Sequence, residues 1–557
     1  MDTRNIEYET ENRVSELLKE MTLDEKIGQM WQADAGGENA ARRLSDQIGA
    51  GEIGSVLNNV DPAEIREMQR IAIDDSRLGI PLLFGRDVIH GFSTIFPIPL
   101  GQAASWNPAL VKDAARIAAI EASAAGVNWT FAPMIDIARD PRWGRIAESL
   151  GEDPYLANQL AKAMVVGYQG DDPTSSDAIA ACAKHFAGYG AAESGRDYAT
   201  TNIPENELRN VYLQPFHAAV DAGVMTLMTS FSDLNGVPAT ANSFLLRQVL
   251  RDEWSFDGLV VSDYDSVSQL SVHGLTENDE AAACAAASSG VDIEMAGLTY
   301  PRYLRKLVDE GRIPIATIDN AARNVLRVKF RLGLFETPFK GLASDVTPLR
   351  DPHLAIARQA ALESVVLLKN DNATLPLSKE ALSSIAVIGP LADAAHEQTG
   401  TWAFDADFER CVTCLEATRS LLGDDVSVRY VPAMETSRSR DVDPFDEAVD
   451  AARSSDAVIL FLGEEAILSG EAHSRANIDL PGAQAELVER IRSAGKPVVA
   501  VVLAGRPLTL SNIVDQVDAL LIAWHPGSMG GPAIADLLFG REVPSGKLPA
   551  SFPNMVG

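Results

Sequence analysis

What most constrains this chain is a rhythm that runs through nearly all of its 557 residues. Short apolar, partly β-branched runs alternate with Ala-rich amphipathic stretches. The runs at 54–57, 81–84, 128–132, 179–184, 225–230, 259–262 and 291–295 read as strands. Residues 110–125, 156–168 and 278–289 between them read as helices. A strand followed by a helical crossover pairs in parallel with the next strand, and the helices then cover the sheet. The predicted fold class is α/β, with a (β/α)8-type barrel over residues 1–334, closed or nearly so. Residues 12–20 and 23–31 read as a leading helix pair, with Thr22 and Glu25 at capping-box spacing.

Residues 335–355 break the rhythm. They carry Pro338, Pro348 and Pro352 among polar residues and read as a linker. The alternation restarts with strands at 365–368, 385–388, 428–431, 458–462, 498–503 and 519–524, and a helix at 483–494. This predicts an α/β sandwich over 356–557, an open, mostly parallel sheet covered by helices. The last residues, SFPNMVG, carry no capping element and read as an interrupted C-terminus.

Composition narrows the partners. A formal net charge of -31 disfavours nucleic acid and anionic membranes, and suits a neutral or cationic ligand, though acidity also serves solubility alone. No apolar run approaches the ~20 residues that span a bilayer. The first residues, MDTRNIEYETENR, are polar and acidic and do not read as a secretion signal. The expected location is cytoplasmic, or periplasmic or extracellular if a signal has been removed. Cys182 and Cys284 lie in apolar or Ala-rich runs and read as buried. Cys411 and Cys414 form a lone CxxC with no second pair and no nearby His pair, a poor zinc site that leaves a redox role open. GREVPSGKLP misses phosphate-loop spacing, HPGSMGG is no dinucleotide fingerprint, and neither GxSxG nor HExxH occurs. No metal or organic cofactor is implied.

Charged residues gather where the first set of strands ends. Asp87, Arg145, Lys184, His185, Arg196 and Asp263 all follow or close such runs. In an α/β barrel the strands' carboxyl ends carry the chemistry. Asp263, which stops the run Leu259-Val260-Val261, reads as a nucleophile or, equally, as a cap on the next helix. Mixed Lys, Arg and Asp groups suit a ligand rich in hydroxyls, each of which donates and accepts. Taken singly, each cation reads as well as a structural ion pair. In the second unit, Glu464, Glu465 and Glu471 lie on one loop. The loop is either merely solvated or, if the domains touch, brings a carboxylic acid opposite Asp263. Desolvation and a nearby anion would raise that acid's pKa.

The motifs GRDVIHGF, DPRWGRIAESLGEDPYL, KHFAGYG, ESGRDY, MTSFSDLNGVPAT, GLVVSDYDSV, LSGEAHSR and HPGSMGGPAIADLLFGREVPSGKLPASFP, in this order, resemble glycoside hydrolase family 3 in its β-glucosidase branch. The resemblance covers nearly the whole chain. It implies a barrel followed by an α/β sandwich, with the active site between them. It also implies a retaining exo-β-glucosidase acting on β-glucosides or cello-oligosaccharides, with a β-xylosidase, an exo-β-glucanase or a non-catalytic sugar binder as alternatives. By resemblance Asp263 is the nucleophile and Glu471 the acid/base, with Glu464 and Glu465 competing. Asp87, Arg145, Lys184, His185 and Arg196 would hold the innermost sugar, Asp87 accepting and the cations and His185 donating. Met228 would line that subsite, Tyr264 would offer an aromatic wall, and Trp402 would do the same for the next sugar. Retention sets the two carboxyls ~5–5.5 Å apart. Tyr189 stands where the N-acetylhexosaminidase branch carries a His, which argues against that branch. Many relatives continue into a fibronectin-type III domain, which would begin beyond this chain's last residue. A homodimer is a further expectation.

Overall fold

The computed structural model describes residues 3–342 and 350–556. The first domain is built on parallel strands. Five pair in one arc, Glu294–Met295, Trp31–Asp34, Ser55–Leu57, Leu83–Arg86 and Trp129–Thr130. Three pair in a second arc, Cys182–Phe186, Thr226–Thr229 and Leu259–Val261. Isolated parallel bridges join the arcs, Trp129 to Ala180 on one side and Val261 to Ile293 on the other. The result is a barrel-type ring whose strands are buried on both sides, as a parallel sheet covered by helices requires.

Local sequence explains the helices around it. Asn107 accepts from the Leu110 N–H and Pro108 opens the helix Pro108–Ala124, where its missing N–H costs nothing. The capping box at Thr22 and Glu25 forms as its spacing predicts. The helix it starts, Leu23–Gln29, ends earlier than expected, because Trp31–Asp34 is a strand. WQAD has only two apolar residues, so its burial inside the ring leaves no periodic trace in the sequence.

The second domain holds a six-stranded sheet. Its strands are parallel except Val366–Asn370, which runs antiparallel to Ala519–Ile522 at one edge. Alternate residues of the central strand Ala457–Gly463 face opposite cores. Ala457, Ile459 and Phe461 pack with the helices Asp351–Ser364, Cys414–Leu422 and Gly530–Leu538, whereas Val458, Leu460 and Leu462 pack with Phe445–Arg453 and Gln484–Arg492. The latter core also contains Met134, Trp143, Tyr189 and Phe231 of the first domain. The two domains therefore share one apolar seam.

The linker expected at 335–355 falls partly on residues 343–349, which lie outside the described residues. Its last residues are not linker: Asp351–Ser364 is a helix. Pro352 sits in the first turn, where a proline is tolerated, and proline content alone misplaced the boundary. His353 Nδ1 meets Glu121 Oε1 at 2.6 Å and ties this helix to the barrel.

Candidate active site

The carboxyl ends of the barrel strands open onto the second domain, and a cavity of about 460 Å³ lies between them. Asp87 follows Leu83–Arg86, Lys184 and His185 lie within Cys182–Phe186, Met228 within Thr226–Thr229, and Asp263 follows Leu259–Val261. Arg145 comes from the one-turn helix Gly144–Glu148. Trp402 and Glu471 reach the same cavity from the second domain. Of the residues singled out in the sequence, Asp87, Arg145, Lys184, Met228, Asp263, Tyr264, Trp402 and Glu471 all line it. His185 stands directly behind, its Nε2 3.7 Å from Asp263 Oδ2. Arg196 is exposed and does not line the cavity.

Ion pairs order the lining. Lys184 Nζ donates to Asp87 Oδ1 at 2.8 Å, giving a donor and an acceptor side by side. Arg145 is buried and paired through two nitrogens with Glu148, at 2.9 and 3.0 Å. Its Nη1 lies 3.4 Å from Glu471 Oε2. The Trp402 ring lies over both cations, 5.1 Å from Lys184 Nζ and 5.6 Å from the Arg145 guanidinium carbon. Trp402 therefore stands beside both cations in the cavity lining. At the rim, Tyr264 donates to Asp34 at 3.0 Å and Arg86 pairs with Asp405 at 3.0 Å across the seam.

Burial drives the electrostatics. The Asp263 carboxyl is pushed up to about 7 by desolvation; Arg145 pulls it down, Glu471 pushes it further up, and Lys184 and the Tyr264 N–H lower it. His185 is held well below the ordinary imidazole value by burial and by Arg145 and Lys184, so it is neutral. Its Nδ1 meets Asp136 Oδ2 at 2.8 Å, and Asp136 also accepts the His185 N–H at 2.9 Å. Which ring nitrogen carries the proton sets whether Nε2 donates or accepts.

The competing carboxylates are held elsewhere. Glu464 is fully buried against Arg475 and Arg506. Glu465 is bound by Arg438 and Ser437. Sequence reasoning missed Tyr198, whose hydroxyl donates to Glu471 Oε1 at 2.6 Å, and Phe231 and Phe404, which also line the cavity. The GRDY run drew attention to Arg196, two residues from the group that reaches the cavity. Glu148 was legible in retrospect as an i,i+3 partner for Arg145. Glu148→Ala takes from buried Arg145 its two-nitrogen partner and leaves it, among the described residues, only Glu471 at 3.4 Å, an expected cost of about 3 kcal/mol. Thermal unfolding monitored by circular dichroism checks this, and an unchanged midpoint contradicts it.

Comparison with known proteins agrees with this geometry. Residues 22–328 match the glycosyl hydrolase family 3 N-terminal domain and residues 365–557 the C-terminal domain of that family. The chain is therefore a glycoside hydrolase. It belongs to family 3 of that class across both domains. It is 41% identical to a periplasmic beta-glucosidase of Salmonella typhimurium, over 98% of this chain and 74% of that protein. It is 34% identical to a beta-xylosidase of Formosa agariphila, over 99% of this chain and 75% of that one. Among solved structures it is similar to the Listeria innocua beta-glucosidase, crystallised with glucose and, in a mutant form, with laminaribiose. The TM-score is 0.92 at 39% identity, covering 98% of this chain and 77% of that chain. An exo-1,3/1,4-beta-glucanase of a Pseudoalteromonas species is similar at a TM-score of 0.85 and 29% identity, over 98% of this chain and 71% of that chain.

Proposed function

We propose that this chain is a retaining exo-β-glucosidase that removes terminal, non-reducing β-glucosyl units by double displacement. The observation that carries the reading is that Asp263 and Glu471, one from each domain, line a single cavity with Arg145 in electrostatic reach of both. Asp263 attacks the anomeric carbon from beneath the sugar while Glu471 protonates the departing oxygen. Glu471, now a carboxylate, then deprotonates a water that releases glucose from Asp263. Glu471 gives a proton to the departing oxygen and regains one from water, so no other proton carrier is needed.

The remaining groups match a polyol. Asp87 accepts from one sugar hydroxyl while Lys184 donates to its neighbour, and His185 backs the Asp263 carboxyl. Met228 and Trp402 supply the apolar surface that excludes water. Tyr189 is buried and donates to Asp197 at 2.6 Å. A tyrosine where the N-acetylhexosaminidase branch carries a His supports a glucosidase over an N-acetylhexosaminidase. The periplasmic setting of the Salmonella relative supports the same compartment here.

The relatives include glucosidases, xylosidases and an exo-glucanase, so substrate choice is open to a direct test. On 4-nitrophenyl sugars, kcat/KM for the β-glucoside is expected to exceed that for the β-xyloside by about 10-fold or more. Contacts to one extra carbon and its hydroxyl supply a factor of that order. Proton NMR of the first product is expected to show β-glucose. A preference for the xyloside would make the chain a β-xylosidase, and α-glucose as first product would exclude retention.

A further inference from the structure

Arg506 lies three residues past the strand Val498–Leu503 of the second domain and is fully buried. Its guanidinium binds three separate pieces of chain. Nη1 donates to the carbonyls of Pro141 and Arg142 in the barrel domain, at 2.9 and 3.0 Å. Nη2 donates to the carbonyl of His473 at 2.8 Å and to that of Leu468. Nε faces Glu464 at 3.1 Å. Leu468 and His473 bracket Glu471, so one side chain holds both ends of the loop that carries it and the barrel turn on which that loop rests.

The barrel grips the same loop from the other side. The Gly470 N–H donates to the Gly144 carbonyl at 2.8 Å and the Arg475 N–H to the Arg142 carbonyl at 3.0 Å. A Cβ on Gly144 would lie 2.3 Å from the Gly470 oxygen, so the approach needs glycine there. The Ala472 N–H, next to Glu471, donates to Asp197 Oδ2 at 2.7 Å. Asp197 Oδ1 in turn accepts from Trp143 Nε1 at 2.9 Å and from the Tyr189 hydroxyl. Ala472 itself is held at φ 61, a left-handed conformation that an alanine keeps only when its surroundings impose it.

We propose that Arg506 is a positioning residue that fixes the Glu471 carboxyl over the glycosidic oxygen by clamping its loop to the barrel across the domain seam. This rests on the reading of Glu471 as the acid/base. A guanidinium is suited to the task because its planar fork of five donors meets acceptors in fixed directions, which a lysine ammonium cannot do. Arg506 touches neither the cavity nor the sugar. Its influence passes through the position of Glu471 alone.

The test uses the full chain with Arg506→Lys, which keeps a cation beside Glu464. Activity is compared on phenyl β-glucoside, which needs a proton for departure, and on 2,4-dinitrophenyl β-glucoside, which does not. The expected result is a loss of about 10²-fold in kcat/KM on the phenyl glucoside, the scale set by an ångström-sized misplacement, and a much smaller loss on the dinitrophenyl glucoside. In a Glu471→Ala background, Arg506→Lys is expected to add no further leaving-group-dependent loss. Equal losses on the two substrates, or the same further loss without Glu471, overturn the proposal. Asp197→Ala, which withdraws the barrel-side acceptor from the Ala472 N–H, is the second variant should Arg506→Lys not fold. The same split supports the proposal and a flat response overturns it. A steep leaving-group dependence in Glu471→Ala with a flat one in the Arg506 and Asp197 variants rejects the clamp alone. A flat response in Glu471→Ala itself rejects the acid/base reading first and the clamp with it.

Discussion

Asp263→Ala is expected to lower kcat on 2,4-dinitrophenyl β-glucoside by about 10⁴-fold or more, the scale on which covalent catalysis is lost when its nucleophile is removed. An activated leaving group is the stringent substrate here. It departs without protonation, so a large loss points to attack and away from acid catalysis. Asp263→Gly leaves room for a small anion, and azide is expected to restore part of the rate and to yield α-glucosyl azide. Azide would then arrive on the face that Asp263 occupies. Near-normal activity of Asp263→Ala, or azide without effect on rate or product, contradicts the assignment. The structure also bears on the helix-cap reading. The carboxyl accepts the N–H of Tyr264 at 2.7 Å, yet its Oδ2 is buried with no hydrogen-bond partner among the described residues, next to a cavity. An unpaired buried acceptor is costly, and sites of chemistry are where such costs are tolerated.

Glu471→Gln is the second large effect. On phenyl β-glucoside the loss in kcat/KM is expected to be about 10²–10⁴-fold, the usual worth of positioned acid–base catalysis, and on 2,4-dinitrophenyl β-glucoside far smaller. Equal losses on both substrates count against Glu471 as the partner of Asp263. Asp263 attacks only when ionised, so in the unmodified enzyme kcat/KM on the dinitrophenyl substrate is expected to rise with pH through the Asp263 pKa, near 7 in the free enzyme. A flat profile across neutral pH contradicts a buried, raised Asp263 carboxyl.

Much of this was legible in the sequence because buried parallel strands are nearly continuous apolar runs, and a charge that ends one is conspicuous. Asp87, Lys184 and Asp263 stand out in that way. Trp31–Asp34 does not, since its polar residues Gln32 and Asp34 hide a strand whose pairing is supplied by neighbours far away in sequence. The second domain's strands were equally readable, including Val498–Leu503, whose six residues are all buried. Glu471 was another matter. Nothing local separates it from Glu464 and Glu465. Only the packed structure shows those two held by Arg475, Arg506 and Arg438 while Glu471 faces the cavity. Tyr198 and Glu148 were missed for the same reason, because their significance lies in what they touch. Arg196 was overvalued because a charged residue near a barrel mouth looks the same in sequence whether it points in or out.

The most direct measurement is to trap the intermediate. Incubation with 2,4-dinitrophenyl 2-deoxy-2-fluoro-β-glucoside slows the second step more than the first, so a glycosyl-enzyme accumulates. Peptide mass spectrometry then locates the sugar. An adduct on Asp263, with one mole of dinitrophenol released per mole of enzyme, is the expected result. An adduct on any other carboxylate, or steady turnover with α-configured product and no adduct, would contradict a covalent glycosyl–Asp263 intermediate.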